Sequence, residues 1–190
     1  GVRGKDYLLV SSGRLTVTAG GDGLKSSEDD DETKGFVALG AAAVTLTSGD
    51  DGVSATTDVT VDGTTLSVTA GGGQANATVS EQGPGGQGAQ AGPGRAAPEQ
   101  DRSGQSAETQ SEDTAPSPKG VNAGVAYSQD SGGVTIDAAD EGLQAAFVNV
   151  SGGSLDVSSG DDGINASNGD HTIEGYENAD SESDDGSAIT

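Results

Sequence analysis

The chain has no cysteine, no methionine and no tryptophan. No disulfide can close it and no thiolate can hold a soft metal. A secreted protein without disulfides needs another staple, and bound metal is one candidate. Basic residues are scarce: 8 Lys+Arg stand against 31 Asp+Glu, a formal net charge of −23. That balance repels nucleic acid and anionic membrane surfaces and suits divalent cations, which prefer carboxylate oxygen. No apolar run approaches the ~20 residues of a membrane span, so membrane insertion is not expected. All five prolines fall between Pro84 and Pro118, which leaves the rest of the chain free for ladder hydrogen bonding.

What is present is a ten-residue phrase. It reads LTVTAGGDGL at 15–24, VTLTSGDDGV at 44–53, VTIDAADEGL at 134–143 and LDVSSGDDGI at 155–164. A degraded copy, LSVTAGGGQA at 66–75, keeps the strand half and loses the acids. Leu15 and Val17, Val44 and Leu46, Val134 and Ile136, and Leu155 and Val157 alternate as one face of a strand of roughly four residues. Gly and Asp then break the strand. The next aliphatic, Leu24, Val53, Leu143 or Ile164, follows at odd parity, so the turn must reset the inward face.

The copies start 29, 22 and 21 residues apart where they run in series. A period of about 20 to 22 suits three short strands and three bends per coil. The expected fold is all-β: a right-handed three-sided parallel β-helix whose units bury their apolar faces only by stacking. Second strands are expected at Val59 and Val61 and at Phe147, Val148 and Val150, and the polar run Ser26 to Glu32 is read as a loop bulging from one coil. Residues 1–75 are expected to form the N-terminal coils and 119–190 the C-terminal coils of one β-helix. Between them, 76–118 is rich in Gly, Pro, Gln, Ala and Ser and reads as a disordered insertion, because it offers too little burial to offset chain entropy. The tail from Asn178 is expected to fray or to form a partial coil. No helix of any length is expected.

Stacked turns stack their acids. Asp50/Asp51, Asp140/Glu141 and Asp161/Asp162, with Asp22, would form ladders along one edge. Two bare carboxylates one strand spacing apart repel by about 3–4 kcal/mol at an effective dielectric near 20. Lysine and arginine are too scarce and mostly lie elsewhere. Calcium fits such a ladder: it takes six to eight oxygens, backbone carbonyls among them. Gly72 and Gly73 would leave one place in the ladder without an acid. The tandem nonapeptide β-roll also binds calcium through turn acids, but its period of nine does not match this spacing.

A strand of alternating apolar residues followed by S-G-D-D-G-[IV]-x-A resembles the carbohydrate-binding parallel β-helix family of cellulolytic clostridia and other bacteria. T-K-G-F at 33–36 and P-K-G-V-N-A at 118–123 look like that family's Lys-Gly coil starts, and G-G-G-Q-A-N at 71–76 like its exit before a variable insertion. The resemblance implies a fold like that of calcium-dependent pectate lyases, bound calcium, and binding of cellulose or polygalacturonate at a secreted or cell-surface location. Asp50, Asp51, Asp161 and Asp162 match its DDG motif fully. Asp22 matches through one acid, and Asp140 with Glu141 through a substitution.

Three functions follow. A binding module would capture polysaccharide; with no Trp, two Phe and three Tyr, a flat aromatic platform for neutral glucan looks poor, and a calcium-bridged uronate fits better. A calcium-dependent lyase would need a basic residue to take the proton alpha to the uronate, for which Lys25 is the best candidate, ahead of Lys34 and Lys119; the plainer reading of all three is surface charge compensation. A purely structural or adhesive surface protein would use metal for stability alone. His171, the one histidine, has no partner motif and reads as a solvated turn residue. Tyr7, Tyr127 and Tyr176 are candidates for exposed rings.

Overall fold

The computed structural model describes residues 1–77, 117–167 and 188–190. Contacts divide the chain into two compact units, one of Gly1–Val79 with Pro116–Thr190 and one of Ser80–Ala115. The second unit, and with it most of the expected insertion, lies outside the described residues, as do His171 and Tyr176.

The first unit is all-β. Its strands are β1 (Val2–Gly4), β2 (Tyr7–Ala19), β3 (Leu24–Ser26), β4 (Phe36–Ser48), β5 (Val53–Ala55), β6 (Val59–Ala70), β7 (Val121–Ala123), β8 (Ala126–Ala138), β9 (Leu143–Ala145), β10 (Phe147–Val150), β11 (Ser154–Ser159), β12 (Ile164–Ala166) and β13 (Ala188–Ile189). A single 3₁₀ turn spans Gln74–Asn76, and there is no α-helix among the described residues. Strands alternate between two parallel sheets. The short ones stack as β1-β3-β5-β7-β9-β12, and the long ones as β2-β4-β6-β8-β10, with β13 beyond β10 and β11 also on β8. The earlier layers are thus each one short strand followed by one long one, and after β9 the long strand is replaced by β10 and β11, both on β8.

The long strands differ from the expected short pieces. β2, β4 and β8 have 13 residues each and β6 has 12. The apolar pattern alone suggests two strands because the inward parity flips midway. In β4, Val37 and Leu39 are buried, then Ala42, Val44 and Leu46. In β6, Val59 and Val61 are buried, then Leu66 and Val68. The flip is a corner rather than an end. Gly13, Gly63 and Gly132 take it with φ near +90°, a conformation that L residues avoid, and pairing resumes beyond it.

The phrases stand in register. Leu15 pairs with Val44, Val44 with Leu66, Leu66 with Val134 and Val134 with Leu155. The aliphatic that follows each turn also stacks: Leu24, Val53, Val121 and Leu143 form a row of fully buried side chains. Full burial of such a residue stabilises by about 1.5–3 kcal/mol, so a row of four is a large share of a domain's margin. The degraded copy supplies the third long strand, and β7 enters the same stack after residue 116. At the end of the tail β13 adds to β10 through Phe147↔Ala188 and Val148↔Ile189. Residues 168–187 lie outside the described residues.

Candidate functional site

Backbone hydrogen bonds carry the register through the acidic turns. Gly23 N–H donates to Asp51 O at 2.9 Å, Gly52 N–H to Lys119 O at 2.9 Å, Gly120 N–H to Glu141 O at 3.1 Å and Gly142 N–H to Asp162 O at 2.8 Å. The column is therefore Asp22, Asp51, Lys119, Glu141, Asp162. The place expected to lack an acid is not vacant. Beyond Gly71 the chain leaves the stack, and Pro118 and Lys119 take the two turn positions on its return.

Basic residues mostly lie elsewhere, yet two stand on this edge. Lys25 Nζ sits 2.6 Å from Asp22 Oδ2. Lys119 Nζ sits 2.5 Å from Glu141 Oε2 and 3.3 Å from Asp140 Oδ2. Carboxamides from the outward middle positions of the short strands supply the rest. Asn122 Nδ2 donates to Asp51 Oδ2 at 3.0 Å, and Asn165 Nδ2 to Glu141 Oε1 at 2.5 Å. The Lys119 N–H donates to Asp51 Oδ1 at 3.0 Å. Burial raises Asp51 above the usual aspartate range, against these hydrogen bonds, with the charges of Asp50 and Asp22 adding to the rise. Asp161 is also raised, by burial first and then by Asp162, Asp140 and Glu141.

This donor set does not fit a calcium ladder through the middle of the edge. Asp22, Asp51, Asp140 and Glu141 already face ammonium or amide groups, and a lysine occupies the central rung. Asp50, Asp161 and Asp162 are exposed. Among the described residues, one set of acids brings oxygens within 4.8 Å of one another, and it is elsewhere: Glu28, Asp29 and Asp30. Hard oxygen donors at that separation suit a calcium ion, which would take the place of Lys5 Nζ, 2.9 Å from Glu28 Oε2.

Nor are the lysines poised as bases. Lys34 Nζ lies 3.4 Å from Asp31 and 3.6 Å from Asp6, and hydrogen bonding to Asp31 with the charge of Asp6 raises its pKa. For Lys119, burial opposes the charge, but Glu141 and Asp140 outweigh it and the pKa is again raised. A general base must release its proton near neutral pH. Lys25 is held by Asp22.

A different place gathers the features of a binding surface. The run Ser26 to Glu32 does leave the strand after Ser26, and its acids line a cavity of about 460 Å³ with Thr56, Thr57, Asp58 and Phe147. Glu28 is 6% exposed; its Oε2 meets Lys5 Nζ at 2.9 Å and its Oε1 accepts the Asp30 N–H at 3.2 Å. Along the outer face of the long sheet, Tyr7 pairs with Phe36, the next layers place Asp58 and Ala126 level with it, and Ala126 pairs with Phe147. Tyr7 and Phe36 stack with ring centroids 5.5 Å apart and planes at 14°. Tyr7 is 53% exposed and Phe147 38%. Asp58 and Phe147 belong to both row and cavity, so the two share an edge. Sequence reasoning missed this row because its members are far apart in the chain; the signal was their common offset of one residue before the inward aliphatics Leu8, Val37 and Val148. Tyr127, by contrast, is fully buried.

Layered parallel strands that present one row of rings beside a polar cavity define an extended binding surface of the kind repeat proteins build. The chain belongs to a family of carbohydrate-binding domain-containing proteins, whose family model matches residues 1–163. Among curated proteins and among solved structures, none matches. Membership of a binding family is consistent with a protein that is not an enzyme.

Proposed function

We propose that this chain is an extracellular, cell-surface or secreted module that binds plant-type polysaccharide along the row Tyr7, Phe36, Asp58 and Phe147 and in the cavity beside it. The observation that carries the reading is that the exposed rings and the acid-lined cavity share Asp58 and Phe147. Rings at the two ends of the row offer apolar faces to sugar rings. Threonine hydroxyls and carboxylates between them accept and donate the hydrogen bonds that sugar hydroxyls require. A neutral, cellulosic chain suits this surface directly. The three straight segments of each layer, one short strand and two limbs of a long strand, are taken as the three sides of a right-handed parallel β-helix.

A second reading is favoured by the convergence of Glu28, Asp29 and Asp30. A polyuronate such as polygalacturonate meets a protein of net charge −23 only across a bridging cation, and calcium held by these three acids would supply it.

Affinity electrophoresis separates the two. Migration slowed by a soluble cellulose derivative, with or without chelator, supports the first reading. Migration slowed by polygalacturonate only in calcium, and no longer slowed in Glu28→Gln, supports the second. Unchanged migration with both polymers sinks the binding proposal.

A further inference from the structure

Lys119 stands alone as a cation in the register column Asp22, Asp51, Lys119, Glu141, Asp162. It joins the layers on both sides of it. Its N–H donates to Asp51 Oδ1 at 3.0 Å in one neighbouring layer. Its ammonium meets Glu141 Oε2 at 2.5 Å and Asp140 Oδ2 at 3.3 Å in the other, and it donates to Ser117 Oγ at 2.7 Å. The lysine side chain is 14% exposed and that of Glu141 12%. Glu141 Oε2 is buried with no hydrogen-bond partner among the described residues beside this ion pair. Of the carboxylates that would repel one another across the stack, Asp140 and Glu141 therefore face a fixed positive charge, and Asp51 faces the backbone N–H of the same residue.

We propose that Lys119 is the resident counter-cation of the acidic edge, doing the neutralising that a divalent metal would otherwise do, so that the layers before residue 78 and after residue 116 hold together without bound metal. The lysine does this by position. It occupies a rung of the column that other layers fill with an acid. Removing one partner of a buried ion pair leaves the other uncompensated, which is costly. A divalent ion that takes carboxylate oxygens can replace the missing charge.

The test is thermal unfolding of the full chain, followed by circular dichroism in excess chelator and in millimolar calcium. The wild type is expected to unfold cooperatively in chelator. Lys119→Gln is expected to melt about 10 °C lower there, and calcium is expected to narrow that gap. Lys119→Arg, which keeps the charge, is expected to track the wild type. Calcium bound in the Glu28 loop would shift all three proteins alike, so the gap between them is the quantity read. A wild type unfolded by chelator, a Lys119→Gln protein that melts like the wild type, or a gap that calcium leaves unchanged overturns the proposal. If Lys119→Gln does not fold in either solution, the triple variant Lys119→Gln, Asp140→Asn, Glu141→Gln decides: removing the acids with the lysine restores folding if neutralisation is its role, and failure to fold overturns it.

Discussion

Gly52 and Gly120 meet across neighbouring layers with no side chain between them. The Gly120 carbonyl oxygen accepts the Val53 N–H at 3.0 Å and stands where a Gly52 Cβ would be, with Val68 Cγ1 closing the same space. Gly120 and Gly142 repeat the arrangement against Gly142 O with Ile136, and Gly163 O with Val157. The glycine after the acid at Gly23, Gly52 and Gly142, and after Lys119 at Gly120, is thus demanded by stacking rather than by φ. Gly52→Ala should push backbone against backbone, which cannot relax by a rotamer change. The expected cost is about 3 kcal/mol, a fall in Tm of roughly 10 °C, read by calorimetry. Gly21→Ala, in open space, should cost far less; equal losses at the two sites would refute the stacking explanation.

Tyr127 makes a second prediction. Its hydroxyl donates to Gln129 Oε1 at 2.8 Å, and Gln129 Nε2 donates to Ser154 O at 3.0 Å, with both side chains fully buried. Tyr127→Phe removes the donor and leaves a buried amide oxygen unpaired. A loss of about 1–3 kcal/mol is expected from urea unfolding. A variant as stable as the wild type would mean that the carbonyl finds another partner.

The strands were readable from the chain and the edge chemistry was not, for one physical reason. Alternation of Val44, Leu46 and their counterparts is local, and it forces those residues inward wherever the strand goes. The register follows from the same rows. The rung filled by Lys119 depends on which residue meets Asp51 across a separation of 68 positions, and nothing local to either residue encodes that. Scarce as basic residues are, two lysines, Lys25 and Lys119, are placed where the acids need them, in the charge-compensating role their sequence allowed. The corners at Gly63 and Gly132 misled in the opposite sense: a parity flip looks like a turn, while the ladder shifts register there and continues beyond it.

Asp58 sets a pH dependence. Burial raises its pKa above the ordinary aspartate value, and the Ala126 N–H, donated to Asp58 Oδ1 at 3.1 Å, opposes that rise without cancelling it. An acid whose folded pKa is raised contributes stability below its unfolded pKa and loses it as pH climbs through the folded one. Asp58→Asn keeps the oxygen that accepts the Ala126 N–H and removes the charge. Urea midpoints for wild type and variant should therefore diverge in the variant's favour between pH 3.5 and pH 7. A constant difference across that interval would show that Asp58 ionises in the fold as it does in the unfolded chain.

The row from Tyr7 to Phe147 has a length, and length is testable. Tyr7, Phe36, Asp58, Ala126 and Phe147 lie in five successive layers, Asp58 just before its strand, so the row spans four strand spacings, ~19 Å. A ligand that stacks at both ends must bridge that span, whereas a short oligosaccharide reaches one ring only. Affinity for β-linked glucose oligomers should therefore rise with chain length and level off once the row is covered. Each exposed ring should contribute about 1 kcal/mol, near a fivefold change in Kd. Phe147→Ala, at the cavity edge, should weaken long and short oligomers alike. Tyr7→Ala should weaken long oligomers and leave short ones unchanged if these prefer the cavity end. Both rings are substantially exposed, so either variant should melt within a few degrees of the wild type, which separates lost binding from lost fold. Calorimetric titration across an oligomer series reads all of this, and an affinity independent of oligomer length would place the sugar somewhere other than on this row.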